Sequence, residues 1–143
     1  RQMCIETAIL DLGLEGLKEY IKTIGLYNSK AENIIKTCRD LVEKHNGEVP
    51  ENREALEALA GVGRKTANLI VGDVYGKESI VVDTHMIRIS NRLGLVSEKD
   101  PYKIELALKK IIPSEEGSDF CHRIVLLAEM FALQESRNAI FAL

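Results

Sequence analysis

Two glycines one residue apart, Gly61 and Gly63, stand between two segments whose apolar residues recur at helical spacing, and they restrict the fold more than any other feature. Leu56 and Leu59 lead into the pair; Ala67, Ile70, Val71 and Val74 follow it and are expected to face inward. The local structure that satisfies both is a helix, a tight turn and a second helix starting near Gly63, a helix-hairpin-helix over residues 52–75. Glycine permits positive φ and lets another backbone approach closely. The first N–H groups of the second helix point out of its start, at the positive end of the helix dipole. Such a corner suits an anion, and a nucleic-acid phosphate is one it holds well. Gly61, Val62, Gly63 and Arg64 are therefore candidate phosphate ligands through their backbone, a contact that positions nucleic acid without reading its sequence. A plain helix-helix corner without a ligand satisfies the two glycines equally.

The rest of the chain reads as further helix. Met3, Ile5, Ala8, Ile9 and Leu12 form one apolar stripe, Gly13 breaks it, and Leu17, Tyr20, Ile21 and Ile24 form the next before Gly25 at the C′ position. Asn28 or Ser29 is expected to cap a long helix carrying Ala31, Ile34, Ile35, Cys38, Leu41 and Val42, ended by Asn46-Gly47. Asn52 is an N-cap candidate for the first hairpin helix. Ser79 to Val82 is apolar and β-branched but short, an extended buried connector. Asp83 or Thr84 caps the next helix, which Gly94 ends. Asp100-Pro101 opens another, to Ile112, with Ile104, Leu106, Leu108 and Ile111, and Pro113 stops it. A last long helix runs from about Asp119 to Leu133, with Ser136 to Leu143 as a tail. The expectation is a single all-α domain over residues 1–143.

At 143 residues with 45% hydrophobic and 29% charged side chains, one globular core is expected. No apolar run reaches the length of a membrane span and no basic-then-apolar leader opens the chain, so a soluble, intracellular protein with no membrane partner is expected. Cys4, Cys38 and Cys121 are widely spaced without a Cys-x-x-Cys pair, which indicates neither a disulfide framework nor a zinc knuckle. His85 and His122 have no third ligand at metal spacing and are read as structural, so no metal site is expected. The net charge of −3 opposes a non-specific DNA coat. Between Gly61 and Arg92, however, Arg64, Lys65, Lys77, Arg88 and Arg92 outnumber Asp73, Glu78 and Asp83, so one face is expected to be basic.

Lys65 falls in the first turn after the hairpin, where the dipole and the neighbouring Arg64 both favour the free amine over an ammonium, and a free amine is a nucleophile. A solvated side chain is the alternative reading. Asp83 followed by Thr84 is an ordinary helix cap, and a carboxylate can also stabilise a developing cation. Arg88 and Arg92 lie one turn apart, suited to DNA phosphates or to surface ion pairs.

Leu59 to Asn68, then Val82-Asp83-Thr84-His85 and Arg88, resemble the endonuclease III branch of the helix-hairpin-helix DNA glycosylases. Ile24 to Ala31 and Asn46 to Pro50 resemble it in order and spacing too, so the likeness spans roughly residues 10 to 127. The resemblance implies a helical bundle or barrel of the glycosylase type, damaged double-stranded DNA as partner, and excision of an oxidised pyrimidine. It assigns Lys65 as the nucleophile that attacks the sugar C1′ and holds it as a Schiff base until β-elimination breaks the strand. It assigns Asp83 to stabilising the cationic sugar and assisting proton transfer. A cytoplasmic location follows, on the nucleoid of a bacterium or archaeon.

Three departures accompany it. Family members carry further helices before the position of Arg1, so the expectation is repacking of the remaining helices, a second copy supplying the missing faces in a homo-oligomer, or an altered chain. The family's four-iron cluster is held by cysteines whose positions fall here on Ala132, Ala139 and Ala142, with the fourth beyond Leu143. Alanine offers iron no ligand, so no cluster is expected, and three alanines at ligand positions point to an engineered chain. Ala60 stands where the family often has proline, and Ala128-Glu129 where it has Gly-Arg, which reverses a charge. A catalytically silent, engineered helix-hairpin-helix scaffold or DNA-binding module is the rival reading.

Overall fold

Helical periodicity governs the chain in three dimensions as it does in sequence. The structure is a computed structural model that describes the backbone of residues 5–141, with side chains as far as Ala132. Met3, Cys4 and Ala142 lie outside the described residues. Among those described, the regular elements are all helical: α1 (Ile5–Ile21), α2 (Tyr27–Lys44), α3 (Arg53–Glu57), α4 (Arg64–Asp73), α5 (Thr84–Arg92), α6 (Pro101–Leu108), a 3-10 turn at Ser114–Glu116, and α7 (Gly117–Phe141). The fold is all-α. No helix among the described residues is long and apolar enough to cross a membrane. The chain divides into two compact units, one ending at Ala67 and the other beginning at Asn68.

In the first unit α1 packs on α2. Gly13 does break the first helix, as a kink at φ 71° and ψ 174° inside α1 rather than as a gap between two helices. Leu17, Ala31, Cys38 and Leu41 are buried, and Leu56 and Leu59 are buried below the hairpin. The start of α2 differs from expectation. The left-handed residue there is Leu26, at φ 59°, with Gly25 outside that region. Leu26 is the N-cap and its carbonyl accepts from Lys30 N–H, so neither Asn28 nor Ser29 serves, and no side chain caps the helix. Its other end follows the sequence: Asn46 and Gly47 both take positive φ, and Gly47 N–H closes onto Leu41 O at 2.8 Å.

The second unit is built on Ile80, Val82, Met86, Ile89, Val96, Ile104, Leu108, Cys121, Ile124 and Ala128. The segment from Ser79 to Val82 is the extended connector expected, with Ile80 and Val82 in this core. It is gripped closely: a Cβ added to Gly117, at the start of α7, would stand 2.5 Å from Ser79 O. Asp100 caps α6 by accepting Lys103 N–H at 2.9 Å, with Pro101 in the first turn. Val74 is exposed, against expectation, and Leu106 and Ile111 are exposed as well. Val74 lies past the end of α4 and Ile111 past the end of α6. Leu106 is two residues from Ile104, about 200° around the helix from the buried Ile104/Leu108 edge. The last helix begins at Gly117 and takes in most of the expected tail.

Candidate nucleic-acid interface

Closure of the hairpin starts from Leu59, whose N–H donates to Leu56 O at 3.1 Å, and the turn then folds Val62 N–H back onto Leu59 O at 3.2 Å. Gly61 stands at φ 77°, a conformation that costs any L side chain about 1–2 kcal/mol. Gly63 supplies the carbonyl that accepts the first bond of α4, from Ala67 N–H at 3.0 Å. Arg64, Lys65 and Thr66 therefore form the first turn of α4, where N–H groups have no preceding carbonyl in the helix. The Val62 amide is used within the turn itself. Lys65 is exposed and Arg64 half-buried.

The turn rests on α2, through two residues that sequence reading missed. Thr37 Oγ1 donates to Ala60 O at 2.9 Å. Asn33, one turn earlier, lies so close to Gly61 that an added Cβ would meet its Nδ2 at 2.9 Å and its Cβ at 3.0 Å. Gly61 thus answers two demands, positive φ and the approach of α2. Beside these contacts an open groove of about 310 Å³ runs between α2 and the hairpin, lined by Lys30, Ile34, Cys38 and Val62 among others.

In the second unit Asp83 is the N-cap of α5, accepting Met86 N–H at 2.8 Å through Oδ1. The Asp-Thr step is the cap the sequence suggested, with the aspartate as the capping member. Val82 and Met86 are buried on either side, so the half-buried carboxylate sits on a fixed backbone. Arg88 and Arg92 are exposed on the same helix. His85 is half-buried, and His122 is exposed with Nε2 3.2 Å from Asp73 Oδ1, which Ser118 Oγ also contacts.

A buried polar cluster, also unforeseen, ties α4 to the connector before Asp83. Asn68 is 1% exposed; its Nδ2 donates to Ile80 O at 2.9 Å and to Glu105 Oε2 at 3.1 Å, while Ser79 Oγ donates to Asn68 O. Glu105 is buried too, with Lys109 Nζ 3.3 Å from its other oxygen. The only sequence signal was an asparagine on the face that Ala67 and Val71 bury. Cys121 lies nearby in this unit, accepting Val81 N–H at 3.2 Å. Burial pushes its thiol above the ordinary value, with Asp73 and Asp83 adding to the shift and the Val81 bond opposing it. Burial likewise raises Cys38.

Two of the positions that the resemblance gives to the family's iron-cluster ligands fall on α7. Ala132 is exposed on α7 and Ala139 lies farther along the same helix, and neither side chain carries a donor atom. Among the described residues no three His, Cys, Asp or Glu side chains gather as a metal site would require.

The model of the HhH-GPD superfamily base excision DNA repair proteins matches residues 4–114. The chain is 65% identical over 119 residues to endonuclease III of Haemophilus influenzae, covering 83% of this chain and 56% of that protein. It is 58% identical over 120 residues to endonuclease III of Escherichia coli K12, again covering 56% of the relative. It thus spans about half the length of the curated relatives it matches. Among solved structures, a trapped endonuclease III-DNA covalent intermediate, the estranged-adenine complex, aligns with TM-score 0.80 at 45% identity over 84% of this chain and 57% of that one. A non-covalent endonuclease III-DNA complex aligns with TM-score 0.81 at the same identity, over 84% of this chain and 56% of that one.

Proposed function

Because the chain belongs to the HhH-GPD superfamily of base excision DNA repair proteins, we propose that it is a DNA glycosylase with abasic-site lyase activity of the endonuclease III type, acting on oxidised pyrimidines in duplex DNA. One observation carries the reading: an exposed lysine, Lys65, stands in the first turn of a helix that opens from a two-glycine hairpin. A similar chain has been captured as a covalent intermediate with DNA, and a covalent intermediate requires a nucleophile, a part that an amine can play.

The chemistry follows from the side chains. The target nucleotide leaves the stack, since its C1′ cannot be reached within the duplex. The Lys65 Nζ lone pair attacks C1′, and the base departs with the electrons of the glycosidic bond. Asp83 stabilises the positive charge that develops on the sugar and takes part in proton transfer. Loss of the amine proton and ring opening leave a Schiff base; removal of a proton from C2′ then expels the 3′ phosphate and cuts the strand. The loop amides of Gly61 and Gly63 and the start of α4 at Arg64 hold a DNA phosphate, with Val62 shaping the turn, and Arg88 and Arg92 add cationic contacts. An enzyme with this substrate acts where the chromosome is, in the cytoplasm on the nucleoid of a bacterium or archaeon.

The test is incubation with a duplex bearing one thymine glycol. A cut strand with an unsaturated sugar at its 3′ end is expected from the protein and not from Lys65→Ala. An intact strand at every protein concentration, from a folded sample, would refute the proposal.

A further inference from the structure

We propose that Thr37 and Asn33 of α2 are positioning residues that aim the Gly61 amide at a DNA phosphate, an inference that rests on the proposed binding role of the hairpin. Ala60 C=O and Gly61 N–H belong to one peptide unit, and no cis peptide occurs among the described residues. In a planar trans peptide the carbonyl and the amide point in opposite directions. Thr37 Oγ1 holds Ala60 O toward α2 at 2.9 Å. The Gly61 N–H is thereby turned away from α2, on a residue that is itself exposed.

Asn33 constrains the same peptide from its other end. Its side chain occupies the space where a Gly61 Cβ would stand, with Nδ2, Cβ and Cγ all within 3.1 Å of that point. The glycine can neither carry a side chain there nor move toward α2. A flexible glycine peptide otherwise flips at little cost, because glycine reaches both signs of φ. The hydroxyl bond and the asparagine hold one orientation, so the donor is set before the phosphate arrives and less order is lost on binding. Lys30 lines the groove on the same helix, one turn before Asn33, so the two neutral side chains act beside a cation and without an opposing carboxylate among the groove's lining residues.

This positioning is separate from the chemistry at Lys65, and the two come apart experimentally. The binding probe is a duplex with one tetrahydrofuran abasic-site analogue, which the amine cannot trap, read by fluorescence anisotropy. Single-turnover nicking of a true abasic site at saturating DNA reads the chemistry. Thr37→Val removes the donor and keeps the shape, and about fivefold weaker binding is expected, the loss of one net hydrogen bond. The saturated nicking rate should change by less than about twofold. Thr37→Ser restores the hydroxyl and should restore binding, which a loss of packing alone would not permit. Asn33→Asp, nearly isosteric, places a negative charge close to Gly61 and should weaken binding more than Asn33→Ser, most strongly at low salt. In each folded variant the Gly61 amide resonance reports the peptide directly: its shift on adding duplex should shrink in Thr37→Val and recover in Thr37→Ser.

If the unaltered chain binds and nicks while Thr37→Val binds equally well with an unchanged Gly61 resonance, the positioning role is wrong and the proposed function stands. If Thr37→Ser fails to rescue, the hydroxyl is not the active feature and the inference falls. Should the unaltered, folded chain neither bind the analogue nor nick the abasic site, the proposed function fails and this inference with it.

Discussion

At the scale of single residues, Asp83 has an observed role as a helix cap and a proposed one in catalysis, and one substitution separates them. Its carboxylate caps α5 through Met86 N–H, and asparagine caps a helix about as well as aspartate. Asp83→Asn should therefore leave stability within about 0.5 kcal/mol, while nicking slows by about a hundredfold for want of the negative charge. Asp83→Ala should lose the nicking and also about 1 kcal/mol of stability. Paired urea melts and single-turnover rates on both variants check this; equal nicking by Asp83→Asn and the unaltered chain would reduce Asp83 to a cap. The capping role was legible in the Asp-Thr step, because a cap is a local interaction that spans one turn. The Asn68 cluster was not, since Glu105 lies 37 residues from Asn68 and nothing in either neighbourhood marks the pair. Polar side chains on a buried face are informative only once their partners are known.

At the scale of elements, the hairpin is a loop supported by a helix. Gly61 was recognisable as a positive-φ position from the Gly-x-Gly spacing, but its second constraint, the press of Asn33, arises from a different helix. Gly61→Ala should cost about 1–2 kcal/mol for the left-handed backbone alone, and more for the contact with Asn33. Asn33→Ala in the same chain should recover the part of the contact owed to Nδ2 and Cγ, and leave the Cβ contact and the backbone part, a coupling that a double-mutant cycle of urea melts measures. Strict additivity would contradict the packing described. Thr37 and Asn33 looked like the polar face of an amphipathic α2, which is why they escaped notice. Periodicity gives the face of a helix but not its last residue, and Val74 and Ile111 lie in hydrogen-bonded turns past the ends of α4 and α6, where both are exposed. Leu26 in the left-handed region, beside a glycine that is not, shows the same gap at a helix start, where side-chain identity underdetermined the turn.

At the scale of the whole molecule, charge and burial set how the protein responds to solution conditions. Cys38 and Cys121 are both buried thiols held above their ordinary value of 9.0. The folded state thus binds these protons more tightly than the unfolded chain does. Their contribution to stability is complete below pH 9.0 and is lost as pH rises from there through the higher folded values. Urea melts across this range should show stability falling with pH, with a smaller fall in Cys121→Ala; an unchanged slope in that variant would contradict the assignment. With a net charge of −3, the proposed DNA affinity has to come from local groups, the start of α4 and the arginines of α5, rather than from the molecule's total. All of this serves one claim, that Lys65 is a nucleophile toward an abasic sugar. The most direct measurement is borohydride reduction of the protein mixed with duplex DNA containing one abasic site, followed by peptide mapping of the adduct. A covalent adduct carried on Lys65 and absent from Lys65→Ala is expected; no adduct from the folded protein, or one that persists in Lys65→Ala, would contradict the role given to Lys65.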